Sequence, residues 1–371
     1  MDIKKRSQNM KIIDYSYQNS AANTVLENAL DNRYLASILA ACPGAGKTTI
    51  SHIILNKYFR MFPNAKVLVL TEGQILLTSQ YLSELEEANV DIEFTYGPIG
   101  SGKQVQVGIP QNIYRLKEEK IDLILIDEAH NYYLEPMVQK IVLKLKSKYK
   151  ILMTGSPTKY NDHNKGARFD YFDSARNTYA IHYISAEELQ KQGVFSGVNV
   201  DVTKVTDRKN ALYTIKEVMT SAIRNSDDLS KIMIACPNIK YANIVANYLK
   251  EIGRNVSLST SKNDKENIEI DRFKKDDTNT LIVVGRGILG FNDKMITFLI
   301  DLRSSNNLDS SYQLFARVLR VHPKGIRKTY TRVGDSSNYR KQTILLHKMI
   351  ALMRKDIFES FTGNNIVMET A

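Results

Sequence analysis

Short apolar runs alternate with amphipathic stretches along most of the chain. In the first half the runs Ser37–Ala41, Lys66–Thr71, Val105–Ile109, Ile121–Asp127 and Ile151–Thr154 are compact and mostly apolar. Such runs predict strands buried on both faces of a parallel sheet. Stretches with helical spacing, Thr48–Phe59 and Gln74–Glu87, lie between them. The second half repeats the pattern. Strands are predicted at Asn199–Val205, Lys231–Ala235, Val256–Ser259, Thr280–Val284 and Ile296–Leu302, with helices at Leu212–Ile223, Ala242–Ile252 and Ser310–Leu319. Strand and helix in alternation mean α/β layers. From about Lys159 to Gly197 the pattern weakens into polar sequence such as KYNDHNKGARFDYFDS. The expected organisation is therefore a first α/β domain over residues 1–165, a connecting region over 166–198, and a second α/β domain over 199–371 that closes with a helix at Tyr339–Phe361.

Composition narrows the function classes. The 371 residues are 43% hydrophobic and 25% charged, the balance of an ordinary globular protein rather than a disordered or fibrous one. Cys42 and Cys236 are the only cysteines, too few for a disulfide framework or a cysteine zinc site. No apolar run approaches the roughly 18 residues that span a bilayer. The opening MDIKKRSQNMK is basic but lacks the apolar stretch of a secretory signal, so a cytoplasmic protein without membrane partners is expected. A net charge of +11 favours polyanions, because phosphate neutralisation and counterion release drive nucleic-acid binding.

Residues 37–49, SILAACPGAGKTT, place an apolar strand before a Gly-rich turn and then Lys47, Thr48 and Thr49 at the start of a helix. Phosphate binding needs this order. Small residues let the N–H groups of Pro43-Gly44-Ala45-Gly46 and its neighbours face phosphate oxygens (proline, which has none, aside), and the helix N-terminus adds partial positive charge. Lys47 is expected to reach the β- and γ-phosphates and the Thr48 hydroxyl to hold Mg2+. Ala41 stands where the G-x-x-x-x-G-K-[ST] pattern begins with glycine. Further on, IDLILIDEAH ends a strand in two adjacent carboxylates, at the edge where open α/β sheets bind ligands. Asp127 is placed there to hold Mg2+, and Glu128 to orient and deprotonate an attacking water.

With these motifs in this order the chain resembles the superfamily 2 helicases and translocases, from Tyr17 to about Arg320. Residues 41–49 are similar to that family's Walker A motif, Asp127-Glu128-Ala129-His130 to its DEAH box, and Thr154-Gly155-Ser156 to the hydroxyl-rich motif that couples hydrolysis to nucleic-acid binding. Gln18 lies where the family's adenine-reading glutamine sits. Gly287–Asp293 resembles motif V, which brings in Gly290 and Asn292 as nucleotide contacts, and Gln313–Arg320 resembles motif VI, Q-x-x-G-R-x-x-R, with Ala316 for the glycine. The resemblance implies two tandem RecA-like P-loop NTPase domains, with ATP in the cleft between them. It also implies nucleic-acid contacts at Thr71, Gly73, Pro110, Gln111 and Arg286.

Gln313, Arg317 and Arg320 are spaced i, i+4, i+7, so a helix through them would put all three on one face. Guanidiniums there suit the charge of a triphosphate and complete the catalytic set with Glu128. The RNA-unwinding DEAD branch carries Asp in place of His130 and a His-Arg start to motif VI; this chain has His130 and Gln313. Leu319-Arg320 is more like the ending in DNA-directed translocases, and Asn292 replaces the Asp common in motif V. The expected function is an ATP- and Mg2+-dependent DNA helicase or translocase that acts as a monomer, with replication or recombination proteins as partners. An RNA helicase is the alternative within enzymes. A nucleotide-gated binding module without productive movement is the alternative outside them.

Overall fold

The computed structural model describes residues 16–71, 78, 81–83, 85, 94–116, 120–129, 145, 147–155, 179–225, 228–264, 267–285 and 293–352. Two compact units divide the chain, Met1–Ala41 with Ala45–Ile184 and Ser185–Ala371 with Cys42–Gly44.

The first unit carries α1 (Ser16–Leu30), β1 (Ala36–Ala41), α2 (Lys47–Met61), β2 (Val67–Leu70), β3 (Tyr96–Pro98), β4 (Val105–Gly108), β5 (Leu123–Ile126), β6 (Tyr149–Thr154) and β7 (Tyr179–Ile184). Its sheet runs β3-β4-β2-β5-β6-β1-β7, and every pairing is parallel. The strand carboxyl ends therefore share one edge. β1, β2 and β5 are buried at every position, as their mostly apolar runs demand, and β4 is buried throughout although it includes Gln106. One core cluster joins Ile38, Leu68, Ile124 and Leu152 from four strands to Ile113 and Leu116 from the segment after β4. Helix α1 shows in the buried stripe Tyr17, Gln18, Ala21, Ala22, Val25, Leu26 and Ala29, whose spacing is helical.

The second unit holds α3 (Ala186–Lys191), β8 (Val198–Lys204), α4 (Ala211–Asn225), β9 (Ile232–Ala235), α5 (Ile239–Glu251), β10 (Val256–Thr260), α6 (Ile268–Lys274), β11 (Thr280–Val284), β12 (Phe298–Asp301), α7 (Leu308–Phe315), β13 (Lys328–Gly334) and α8 (Tyr339–Leu352). Its parallel sheet runs β10-β11-β9-β12-β13-β8. Helices α4 and α5 pack Ile215, Val218, Ala242, Val245 and Leu249 onto Ile232, Ile234, Ile282 and Ile300.

Each predicted strand is present, with ends moved by at most two residues. Three further strands were not among those predicted: β3, β7 and β13. Strand β7 falls within residues 166–198, yet pairs with β1 from Ala36↔Tyr179 to Ala41↔Ile184 and so belongs to the first sheet. The predicted helix Gln74–Glu87 lies mostly outside the described residues, as does the stretch of Tyr339–Phe361 beyond Leu352.

Candidate active site

The turn between β1 and α2 is built for a closely approaching anion. Gly46 is the N-cap of α2 with φ +81°, in the left-handed region, and its carbonyl accepts from Ile50 N–H at 2.9 Å. A Cβ at Gly46 would also run into Gln18 Nε2. The N-cap glycine has no side chain to cap the helix start, whose first-turn N–H groups carry partial positive charge. From behind, α1 supports the loop: Tyr17 OH donates to Ala45 O at 2.8 Å, and Gln18 Nε2 donates to Ala45 O at 3.4 Å. Gln18 is 5% exposed, and its buried Oε1 has no hydrogen-bond partner. An orphaned buried acceptor costs about 1–3 kcal/mol, so this amide is the kind that a ligand donor relieves.

The two carboxylates follow β5. Asp127 N–H donates to Leu70 O at 2.8 Å, which extends the β2–β5 ladder into the turn. Glu128 has φ +46°, costly for a residue with a side chain, and its N–H donates to Asp127 Oδ1 at 2.9 Å. The Glu128 carboxylate is fixed at both oxygens. Oε1 lies 3.3 Å from Lys47 Nζ, and Oε2 accepts from Gly155 N–H at 3.4 Å. Lys47 and Glu128 are only 10% and 18% exposed, so their attraction acts in a partly desolvated setting. Lys47, Thr48, Thr49, Asp127 and Glu128 are thus brought to one edge of the first sheet, with Gly155 beside them. Gly155 N–H as a holder of Glu128 was not legible in the sequence, although Thr154-Gly155-Ser156 was singled out there.

Thr48 and Asp127 offer a hydroxyl and a carboxylate, the hard oxygen donors that suit Mg2+. Among the described residues no group of three or more His, Cys, Asp or Glu gathers to hold a metal. Mg2+ commonly takes only one or two protein donors and completes its shell with phosphate oxygens and water.

The other expected residues fall differently. Thr71 is 1% exposed, and its hydroxyl meets Thr78 Oγ1 at 3.0 Å and Gly108 O at 3.4 Å, inside the sheet edge. Pro110 is buried and Gln111 exposed, at the start of a 3-10 turn over Pro110–Leu116. Gly73, His130, Arg286, Gly290 and Asn292 lie outside the described residues.

In the second unit the expectation of one helical face fails. Helix α7 ends at Phe315, Ala316–Val318 tighten into a 3-10 turn, and Arg320 forms an antiparallel bridge with Phe195. Leu319 O accepts from Ser196 N–H at 2.8 Å and Val321 N–H donates to Val194 O at 3.3 Å. Strand-like bonds on both sides of Arg320 require extended backbone, so a helix cannot continue through it. Gln313 is buried within α7, while Arg317 and Arg320 are half-buried beyond its end.

What anchors α7 is a buried charge network that motif reading passed over. Asp301, at the end of β12, is fully buried. It accepts from Arg303 Nε at 2.8 Å, Arg332 Nη1 at 3.1 Å and Tyr330 OH at 3.2 Å. Burial pushes its carboxyl up, but the Arg303 and Arg332 guanidiniums outweigh it and hold the pKa at about 2. Arg303 also donates to Ser310 Oγ in α7 at 2.9 Å, and Arg332 Nη2 to Gln342 Oε1 in α8 at 2.7 Å. The available signal was Asp301 with Arg303, two charges closing an apolar strand.

Residues 11–159 match the protein family described as Type III restriction enzyme, res subunit. No curated protein sequence matches the chain. Among solved structures, S. cerevisiae Dbp5 bound to RNA and ADP BeF3 is similar with a TM-score of 0.64 at 14% identity, over 90% of this chain and 87% of that one. The ATP-dependent Type ISP restriction-modification enzyme LlaBIII bound to DNA is similar with a TM-score of 0.72 at 14% identity. That match covers 93% of this chain but 30% of LlaBIII. The Pyrococcus furiosus Hef helicase domain is similar with a TM-score of 0.53 at 13% identity, over 90% of this chain and 97% of that one. The two parallel-sheet α/β units of this chain thus have the fold of the tandem RecA-like domains found in helicases.

Proposed function

We propose that this chain is an ATP-dependent DNA helicase or translocase, in which nucleic acid stimulates ATP hydrolysis. The observation that carries this reading is the Lys47–Glu128 pair, 3.3 Å apart at the open start of α2, with Asp127 alongside. A cation poised for phosphate beside a carboxylate held for a water is the equipment of phosphoryl transfer. Pro43 to Thr49 cradle the triphosphate, and Lys47 leaves Glu128 for the γ-phosphate. Glu128, still held by Gly155 N–H, then orients water and accepts its proton. When bound at Thr48 and Asp127, Mg2+ supplies neutralisation of the β- and γ-oxygens. Gln18 meets the adenine, and Gly290 and Asn292 are further nucleotide contacts. Arg317 and Arg320 stabilise charge on the transferring group, with Gln313 as their support.

The +11 charge suits either nucleic acid, and DNA is favoured over RNA by the match to a restriction-enzyme family and the likeness to an enzyme solved on DNA. The likeness to Dbp5 bound to RNA makes an RNA-dependent enzyme the second reading. Phosphate release by the parent chain and by Lys47→Ala tests the hydrolytic site: the parent should turn over ATP and the variant should not. Equal rates in both would remove Lys47 from the chemistry.

A further inference from the structure

The turn after β4 presents an aromatic side chain in a way that its packing does not require. Over Pro110–Leu116 the backbone is 3-10 helical, with three residues per turn. Pro110, Ile113 and Leu116 form its buried stripe at i, i+3, i+6. Ile113 and Leu116 enter the core cluster with Ile99 and Ile124. The same period puts Gln111 and Tyr114 together on the outer face. Tyr114 is 74% exposed, the most exposed large apolar side chain among the described residues. The Arg115 guanidinium lies 5.6 Å from the Tyr114 ring centroid, and Arg115 Nε donates to Tyr114 OH at 3.2 Å. The backbone of Arg115 packs beside Gly100, where φ is +88° and an added Cβ would come within 3.2 Å of Arg115 Cβ. An aromatic ring facing water offers a face on which a base can stack, and the adjoining cation matches a phosphate backbone.

Its place on the sheet adds direction. Because the sheet is parallel, this turn leaves the same edge as the phosphate loop and Asp127-Glu128. A row of backbone bonds runs along that edge, Thr71 N–H to Gly108 O at 2.9 Å and Asp127 N–H to Leu70 O at 2.8 Å. The turn that carries Tyr114 therefore starts two strands along that edge from the carboxylates, with β2 between.

We infer that Tyr114, with Arg115 beside it, stacks against an unpaired base of bound DNA, so that the first unit grips bases as well as phosphates. This rests on the proposed nucleic-acid-dependent function and adds to it a requirement for unpaired strand. Fluorescence anisotropy with a short oligo(dT), an abasic strand of equal length and charge, an oligo(rU) and a duplex tests it on the parent, Tyr114→Ala and Tyr114→Phe. The parent should bind oligo(dT) about 5- to 150-fold tighter than the abasic strand. Tyr114→Ala should lose that gap and Tyr114→Phe keep it, with duplex affinity unchanged in both. Equal binding of oligo(dT) and the abasic strand by the parent overturns the stack, as does a gap that survives in Tyr114→Ala; either leaves nucleic-acid binding itself standing. A gap for oligo(rU) and none for oligo(dT) overturns the choice of DNA. No binding to any strand overturns both the stack and the reading beneath it.

Discussion

Replacing Glu128 with glutamine separates the two tasks proposed for its carboxylate. Glutamine keeps the size and one acceptor oxygen, so the bond from Gly155 N–H, 3.4 Å in the parent, can survive. The charge 3.3 Å from Lys47 Nζ disappears. At that distance two unit charges attract by about 5 kcal/mol at a dielectric of ~20 and about 1 kcal/mol in water. Desolvation of both ions offsets most of the larger figure. A net of about 1–2 kcal/mol remains as the hold of Glu128 on Lys47 against a phosphate. Lys47 released from that hold should bind ATP about 5- to 30-fold tighter. Turnover should move the other way, falling by about 10²–10⁴, because the amide cannot accept the proton of the attacking water. Titration of a fluorescent ATP analogue reads the affinity, and phosphate release reads the turnover. Unchanged turnover would refute the role of Glu128 as base; weaker binding would refute the competition for Lys47.

Arg320→Ala should lower turnover by about 10²–10³ while the KM for ATP moves little, as for other donors that stabilise transition-state charge. Mixing it with Lys47→Ala protein should restore nothing, and recovery on mixing would show that the arginine serves a different chain. Asp301→Asn should lower stability by about 3–5 kcal/mol, since it leaves Arg303 and Arg332 buried without their anion; an unchanged urea midpoint would contradict the network. His52, on α2, is 4% exposed, and burial holds its pKa at about 4 against an ordinary 6.5. The unfolded chain takes up that proton below about pH 6.5 and the folded chain only near 4, so stability falls as pH drops through this window, by about 3 kcal/mol in all. His52→Leu should lose less stability than the parent between about pH 7 and about pH 5 in urea titrations; an identical loss would place the titration elsewhere.

Where one physical cause acted alone, the sequence was readable. Buried parallel strands need unbroken apolar runs, so β1, β2, β5 and β9 stood out, and the loop before Lys47 followed from its strand and its glycines. Strand β13 was hidden because Lys328 and Arg332 lie buried in it. Its polar positions are tolerable only because Asp301 and Gln342 from other elements answer Arg332, and Lys294 O accepts from Lys328 Nζ at 2.7 Å. Strand β7 was masked in another way, since an edge strand needs only part of its surface covered and can carry His182 and Tyr183. Spacing placed Gln313, Arg317 and Arg320 on a helix, but capture of the Leu319 carbonyl by Ser196 N–H ends it early. Long-range bonds of that kind leave no local trace in sequence. The same limit hid the inward turn of the Thr71 hydroxyl and the grip of Gly155 on Glu128.

The most direct test is steady-state ATP hydrolysis by the full chain, alone and with single-stranded DNA, duplex DNA or RNA, at low and raised salt. DNA should raise the rate well above that of the protein alone and above that with RNA, and the gain should shrink as salt rises because the contacts to DNA are mostly to phosphate. A rate that no nucleic acid changes would contradict a nucleic-acid motor, and stimulation by RNA with none by DNA would assign the site to RNA.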